Sequence, residues 1–174
     1  MSESSITKRA VAQSLKSLMR EKDFGKISVS DITLRCGINR QTFYYHFADK
    51  YDLLNWIYYH ELFADAVEGL ELSNWDAKFL ELLKAMERDG SFYQHALRIN
   101  GEGAFSDYLF LIMKQLIAAL MPELEEFGRD FYAYGMVGVI VRWATDGMSI
   151  PPARIAEQTR AFLTGNTENL LKAQ

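Results

Sequence analysis

Between Ile27 and Leu54 the chain reads ISVSDITLRCGINRQTFYYHFADKYDLL, and its polar groups fall in a narrow window. Arg40, Gln41 and Thr42 open a short helical stretch, Tyr44, Tyr45 and His46 follow, and Lys50 stands just beyond. Arg and Gln carry donors suited to guanine O6/N7 and adenine N6/N7. Tyr, Thr, His and Lys suit phosphate oxygens, and the positive N-terminus of the helix that starts at Lys50 adds to that attraction. Phe43 and Phe47, four residues apart, turn one face of the stretch inward, leaving Arg40, Gln41, Thr42, Tyr44, Tyr45 and His46 on the other faces and the N-terminal end. That is the chemistry of reading double-stranded DNA in its major groove.

Two short helices must hold these groups. Val29–Cys36 places Val29, Ile32 and Cys36 on one side, and Ser28 with Asp31 has the spacing of a capping box. Gly37-Ile38-Asn39 is a tight turn: Gly37 supplies the backbone freedom, and Ile38 packs under both helices. Arg40–Phe47 follows with Asn39 as N-cap, and Asp49 caps a long helix from Lys50 to about Gly69. An earlier helix, Thr7–Glu21, and a turn around Gly25 complete the head. Helical spacing continues through Trp75–Asp89, Ser91–Ile99, Phe105–Leu120, Leu124–Asp146 and Pro152–Leu171, with Asn74 as a further cap. The breakers are Gly90, Gly101-Glu102-Gly103, Met121-Pro122 and Gly147–Pro151. No stretch alternates with the two-residue period of a strand. The predicted fold is all-α, of about nine helices, with residues 1–50 as a three-helix, helix-turn-helix head and residues 51–174 as a helical bundle.

The net charge of −4 argues against nucleic acid, but its distribution argues the other way. Residues 1–50 hold nine Lys/Arg against five Asp/Glu, while the other 124 hold ten against eighteen. A basic head on an acidic body fits a DNA-reading module joined to a part that does not touch DNA. Enzyme chemistry has little support. His46, His60 and His95 show no metal-ligand spacing, the one cysteine, Cys36, has no partner, and neither a phosphate loop nor a nucleophile elbow is present. Glu123, Glu125 and Glu126 read as support for a helix dipole. No cofactor and no metal is expected. Met1–Arg9 is polar and does not read as a signal peptide, and the apolar stretch Phe131–Ala144 is broken by Arg142 and shorter than the ~20 residues a span needs. A cytoplasmic protein without membrane contact is the expectation.

Thr42-Phe43-Tyr44-Tyr45-His46-Phe47 and Lys50-Tyr51-Asp52-Leu53-Leu54, behind a short helix and a glycine turn, resemble the helix-turn-helix of the TetR family of regulators. The resemblance covers Ile6 to about Ile57. It implies a sequence-specific transcriptional regulator that acts as a homodimer on a palindromic operator. Tyr134–Trp143 with Gly147, and Asp89–Tyr93, are similar to a subgroup that includes the regulator of dihydroxyacetone kinase operons. That similarity implies control of a metabolic operon.

The resemblance places the dimer interface on the last two helices, here Leu124–Asp146 and Pro152–Leu171, with Gly135, Gly138, Arg142 and Phe162 as candidates. Phe131, Gly135, Gly138 and Arg142 form a stripe at i, i+4, i+7 and i+11. Two glycines on one helix face cost about 1 kcal/mol each in helix propensity, so a close approach is expected there. A symmetry mate or a neighbouring helix of the same chain would satisfy it. Trp75, Phe79, Met86, Phe105, Tyr108 and Trp143, with Phe92 and Tyr134, are candidate walls of an effector pocket, each also a plausible core residue. Arg98 and Arg142 are candidate anchors for an anionic effector, with surface or dimer salt bridges as the favoured role for both. The controlling partner is a small-molecule effector or a protein coregulator. A pocket accessible to small molecules would favour the first, and a solid core with an exposed apolar groove the second.

Overall fold

The computed structural model describes residues 3–171. Nine helices and no strand occur among the described residues. Helix α1 is Glu3–Glu21, α2 Val29–Cys36 and α3 Arg40–His46. Helix α4 runs Lys50–Tyr58, passes through a π-helical turn at Tyr59–Phe63 and ends with Ala64–Val67. Then come α5 (Trp75–Arg88), α6 (Gly90–Ala96), α7 (Phe105–Leu120), α8 (Glu126–Thr145) and α9 (Pro152–Leu171).

The local signals act where the sequence places them. Ser28 Oγ accepts from the Asp31 amide while the Asp31 carboxylate accepts from the Ser28 amide, a complete capping box. Gly37 ends α2 at φ +73°, and the Ile38 amide reaches back to Thr33 O at 3.1 Å, a Schellman stop. Asn39 Oδ1 accepts from the Thr42 amide at 2.8 Å, and Asp49 Oδ1 from the Tyr51 and Asp52 amides. Gly147, at φ +82°, stops α8 in the same way, with Met148 N bonded to Trp143 O at 2.9 Å. Three expectations shift. The first helix starts at Glu3, not Thr7, because its opening turn is polar and gives no apolar period. Asn74 does not cap α5; its side chain ties the preceding loop, accepting from Glu71 N and donating to Gly69 O. The π turn in α4 had no sequence signal.

The chain divides into two compact units. The first comprises Met1–Glu61 and Ser91–Tyr108, the second Leu62–Gly90 and Leu109–Gln174. In the first unit α1–α3 bury Val11, Leu15, Met19, Ile32, Phe43 and Phe47, and α4 adds Leu53, Leu54, Ile57 and Tyr58. Full burial of each large side chain contributes about 1.5–3 kcal/mol. Tyr58, Phe92, Tyr93 and Phe105 form an aromatic cluster, with Phe105 centred 4.6 Å from Tyr58 and 5.2 Å from Tyr93. Beside it lies a buried cation, Lys16. Its Nζ sits 2.7 Å from both Glu61 oxygens and 5.1 Å from the centre of the Phe92 ring. The Tyr93 hydroxyl donates to the same carboxylate.

In the second unit Phe79, Leu82, Leu83 and Met86 of α5 are buried, as are Leu109, Met113 and Ile117 of α7 and Ala133, Val137, Ile140 and Ala144 of α8. Arg160 of α9 reaches Asp76 of α5 at 2.9 Å. Trp143 Nε1 donates to Ile150 O at 2.7 Å, which fixes the turn between α8 and α9.

Candidate functional site

Helix α3 is a short helix with one buried face. Phe43 and Phe47 are shut in at 0% and 2% exposure, and the ring of Phe43 meets Phe47 at 5.8 Å. That anchoring leaves Arg40, Gln41, Tyr44 and Tyr45 exposed and Thr42 and His46 half-buried. Tyr45 is 82% exposed, an unusual state for a large aromatic side chain with no other duty. The Arg40 guanidinium lies 5.9 Å from the Tyr44 ring centre, and Nη2 is 3.4 Å from the Tyr44 hydroxyl, so the two side chains extend together. Thr42 is held by Asn39: the amide and the hydroxyl both donate to Asn39 Oδ1. His46 packs edge-on against Tyr45 at 4.9 Å.

The other cations of the head are mostly engaged. Lys16 is buried against Glu61, Lys22 pairs with Asp31 at 3.1 Å, Lys26 with Asp23 at 3.3 Å, and Arg35 with Glu21 at 2.7 Å. The +4 seen in composition is therefore not spread evenly over the surface. Arg40 projects from the recognition face, and Lys8 of α1 lies beside the same helix, its ammonium 5.6 Å from the Phe47 ring centre. Burial, then the charges of Lys8 and Arg9, hold the His60 imidazole below its ordinary value. Lys8 was missed in the sequence because its place beside α3 is set by tertiary packing.

Lys50 is the one recognition candidate that turns inward. Its ammonium donates to Phe24 O at 3.0 Å, Ile27 O at 2.8 Å and Gly25 O at 3.4 Å, above the Phe24 ring at 4.6 Å. All three N–H donors have backbone acceptors, and burial lowers the ammonium below its ordinary value. In the chain without DNA the ammonium clamps the turn before α2. The N-terminus of α4 is likewise filled by Asp49, whose carboxylate takes the amides a phosphate would need.

In the second unit a half-open cavity of about 360 Å³ lies among Phe63, Ala66, Trp75, Phe79, Met113 and Leu116, with Tyr132, Met136 and Leu163 on its other walls. Of the sequence candidates, Trp75 and Phe79 line it. Met86 is in the core of the same unit, and Trp143 lines a different groove. Phe105 and Tyr108 belong to the aromatic cluster of the first unit, where burial and then the neighbouring Tyr59 push the Tyr108 phenol up to about 12. Phe92 is in that cluster too. Arg98 and Arg142 are exposed and neither lines the cavity. Helix α7 supplies a wall because it is apolar on more than one face: Leu109 is buried in the core, while Met113, Leu116, Ile117 and Leu120 line the void. Residue type alone does not tell a core-facing leucine from a void-facing one.

On α8 the glycine stripe is open. A Cβ at Gly135 or Gly138 would meet nothing within 4 Å, so no neighbour among the described residues explains either glycine. Around them Phe127, Phe131, Tyr134 and Arg142 are exposed, and Phe162 of α9 is 63% exposed. Gly135, Gly138 and Arg142 line a groove of about 480 Å³ floored by Trp143 and Ile155. Among the described residues no helix is long and apolar enough to cross a membrane, and no cluster of three or more His, Cys, Asp or Glu could hold a metal ion.

An exposed recognition helix on a buried aromatic anchor, in an all-helical chain, defines a helix-turn-helix regulator. Residues 14–57 match the family described as bacterial regulatory proteins, tetR family, and residues 73–165 match the one described as transcriptional regulator C-terminal region. The chain belongs to the TetR family of DNA-binding transcription regulators. It is similar to the HTH-type dhaKLM operon transcriptional activator DhaS of Lactococcus lactis subsp. lactis (strain IL1403), 36% identical over 95 residues. That alignment takes in 54% of this chain, which spans about half of this relative, 50% of its length. Among solved structures it resembles the dihydroxyacetone kinase operon activator DhaS, with a TM-score of 0.72 at 22% identity over 92% of this chain and 96% of that one. It also resembles NalD, the secondary repressor of the MexAB-OprM multidrug efflux pump in Pseudomonas aeruginosa, with a TM-score of 0.63 at 19% identity over 90% and 94%. At such identities the solved structures speak for the fold.

Proposed function

We propose that the chain works as a cytoplasmic homodimer that grips an inverted-repeat operator with one α3 per half-site and changes its grip when a small molecule fills the cavity. The observation that carries the reading is α3 itself: Arg40, Gln41, Tyr44 and Tyr45 point outward from an anchor of Phe43 and Phe47. In this reading Arg40 and Gln41 meet base edges, while Thr42, Tyr44, Tyr45, His46 and Lys8 meet the sugar-phosphate backbone. Lys50 positions the turn before α2 and touches no phosphate. Residues 1–50 read DNA, and residues 51–174 dimerise and sense.

Open space over Gly135 and Gly138 supports dimerisation through α8 and α9, since the helix-propensity cost of two glycines then has a compensating close approach from the partner. The cavity favours a small effector over a protein coregulator, because it is a concave apolar site of suitable volume. Similarity to DhaS points to a metabolic operon as the target.

The test is selection of genomic fragments by the purified protein. The reading expects an enriched inverted repeat with half-sites about one helical turn apart, 10–10.5 base pairs, or a multiple of that. Enrichment of a single unrepeated site would overturn the dimer, and no enrichment at all would overturn the DNA reading.

A further inference from the structure

The polar atoms around the cavity limit what it can hold. Its walls are apolar save for three groups: Lys78, the Trp75 indole and the Tyr132 phenol. Lys78 is the one formal charge among the described lining residues, and it is engaged. Its Nζ donates to Asp65 O at 2.9 Å and Glu68 O at 2.7 Å, the carbonyls at the end of α4. Those carbonyls lack helical partners, so the ammonium serves as their cap. What Lys78 presents to the void is its aliphatic stem. Arg98 and Arg142 lie elsewhere, and no Asp or Glu is among the lining residues.

A carboxylate or phosphate entering this site would lose its water without gaining a free cation, and an ammonium would find aromatic faces but no counter-charge. A neutral molecule meets neither penalty. We infer that the cavity takes a neutral, predominantly apolar ligand, held by the walls of Phe63, Phe79, Met113 and Leu116 and oriented by one hydrogen bond at Trp75 or Tyr132. The volume sits near the lower end of the ~300–1,000 Å³ typical of small-molecule sites, so the ligand is compact. This inference rests on the effector-pocket reading above and adds the chemical class.

The test uses the full-length protein and three probes with the same ten-carbon chain: 1-decanol, decanoate and decyltrimethylammonium. Each displaces N-phenyl-1-naphthylamine in a fluorescence titration. The expected result is that decanol binds at least tenfold more tightly than either charged probe. Ala66→Trp, which fills the void, removes decanol binding while its circular dichroism and melting stay cooperative. Lys78→Met keeps the stem and removes the charge, and it leaves decanol affinity within about twofold. Tightest binding by decanoate, lost in Lys78→Met, would overturn the neutral class and leave the pocket reading intact, and preference for the ammonium probe would overturn the class in the same way. Failure of all three probes, or decanol binding unaffected by Ala66→Trp and by a second filling variant, Leu116→Trp, would overturn the pocket reading itself.

Discussion

Arg40 and Lys50 stand ten residues apart, and both are cations beside the recognition helix, yet the structure gives them opposite surroundings. Arg40 leans along Tyr44 with its guanidinium outward. Lys50 is wrapped by three carbonyls. Lys50→Met should therefore lower stability by about 1–2 kcal/mol, the scale of hydrogen bonds from a partly exposed charged donor. DNA affinity should follow the folded fraction, and the salt slope should stay as in the parent. A slope reduced by about one unit, measured by anisotropy across a salt series, would restore Lys50 to the phosphates. The type and spacing of both residues are legible from the sequence alone. Spacing does not tell them apart, because the acceptors of Lys50 lie 23 to 26 residues upstream and only folding brings them near.

Helix ends were the most legible elements, since a cap is a contact between residues two to four apart. Ser28–Asp31, Gly37, Asn39 and Asp49 all act as their spacing implied. Asn74 has the right residue type, but its side chain is drawn to Gly69 and Glu71 instead. The π turn at Tyr59–Phe63 was invisible because nothing local demands it; Glu61 within it is held by Lys16 from α1. The capping box makes an element-scale prediction about acid. Bonds from the Ser28 amide and hydroxyl, then Lys22, lower the Asp31 carboxyl from 3.8 to about 2. A lowered carboxyl stabilises the fold fully above 3.8, and that contribution is lost as pH falls through about 2. Asp31→Asn should thus be less stable than the parent at pH 6, with the gap closing between pH 4 and 2. Denaturant melts at a series of pH values would show it. A gap independent of pH would mean that the carboxylate charge does no capping.

Across the molecule, the face of α8 around Gly135 and Gly138 meets no neighbour among the described residues. Leu at position 138 has room in the monomer, since nothing lies within 4 Å of a Cβ there. Gly138→Leu should consequently fold normally and dimerise at least tenfold more weakly, as sedimentation equilibrium would report. An unchanged dimer would move the interface away from Gly138. The candidate pocket was half legible. Trp75 and Phe79 could be named because aromatic residues stand out, whereas the α7 wall could not, because Leu116 and Leu120 look like any other core leucine in an apolar helix.

Sequence reading by the first turn of α3 is tested by Arg40→Ala on a panel of operator variants at several salt concentrations. Loss of a base contact should cost about 1–3 kcal/mol on the preferred operator and flatten the preference at one position, repeated symmetrically in both half-sites. Uniform weakening of every variant, with the preference at all positions intact, would contradict it.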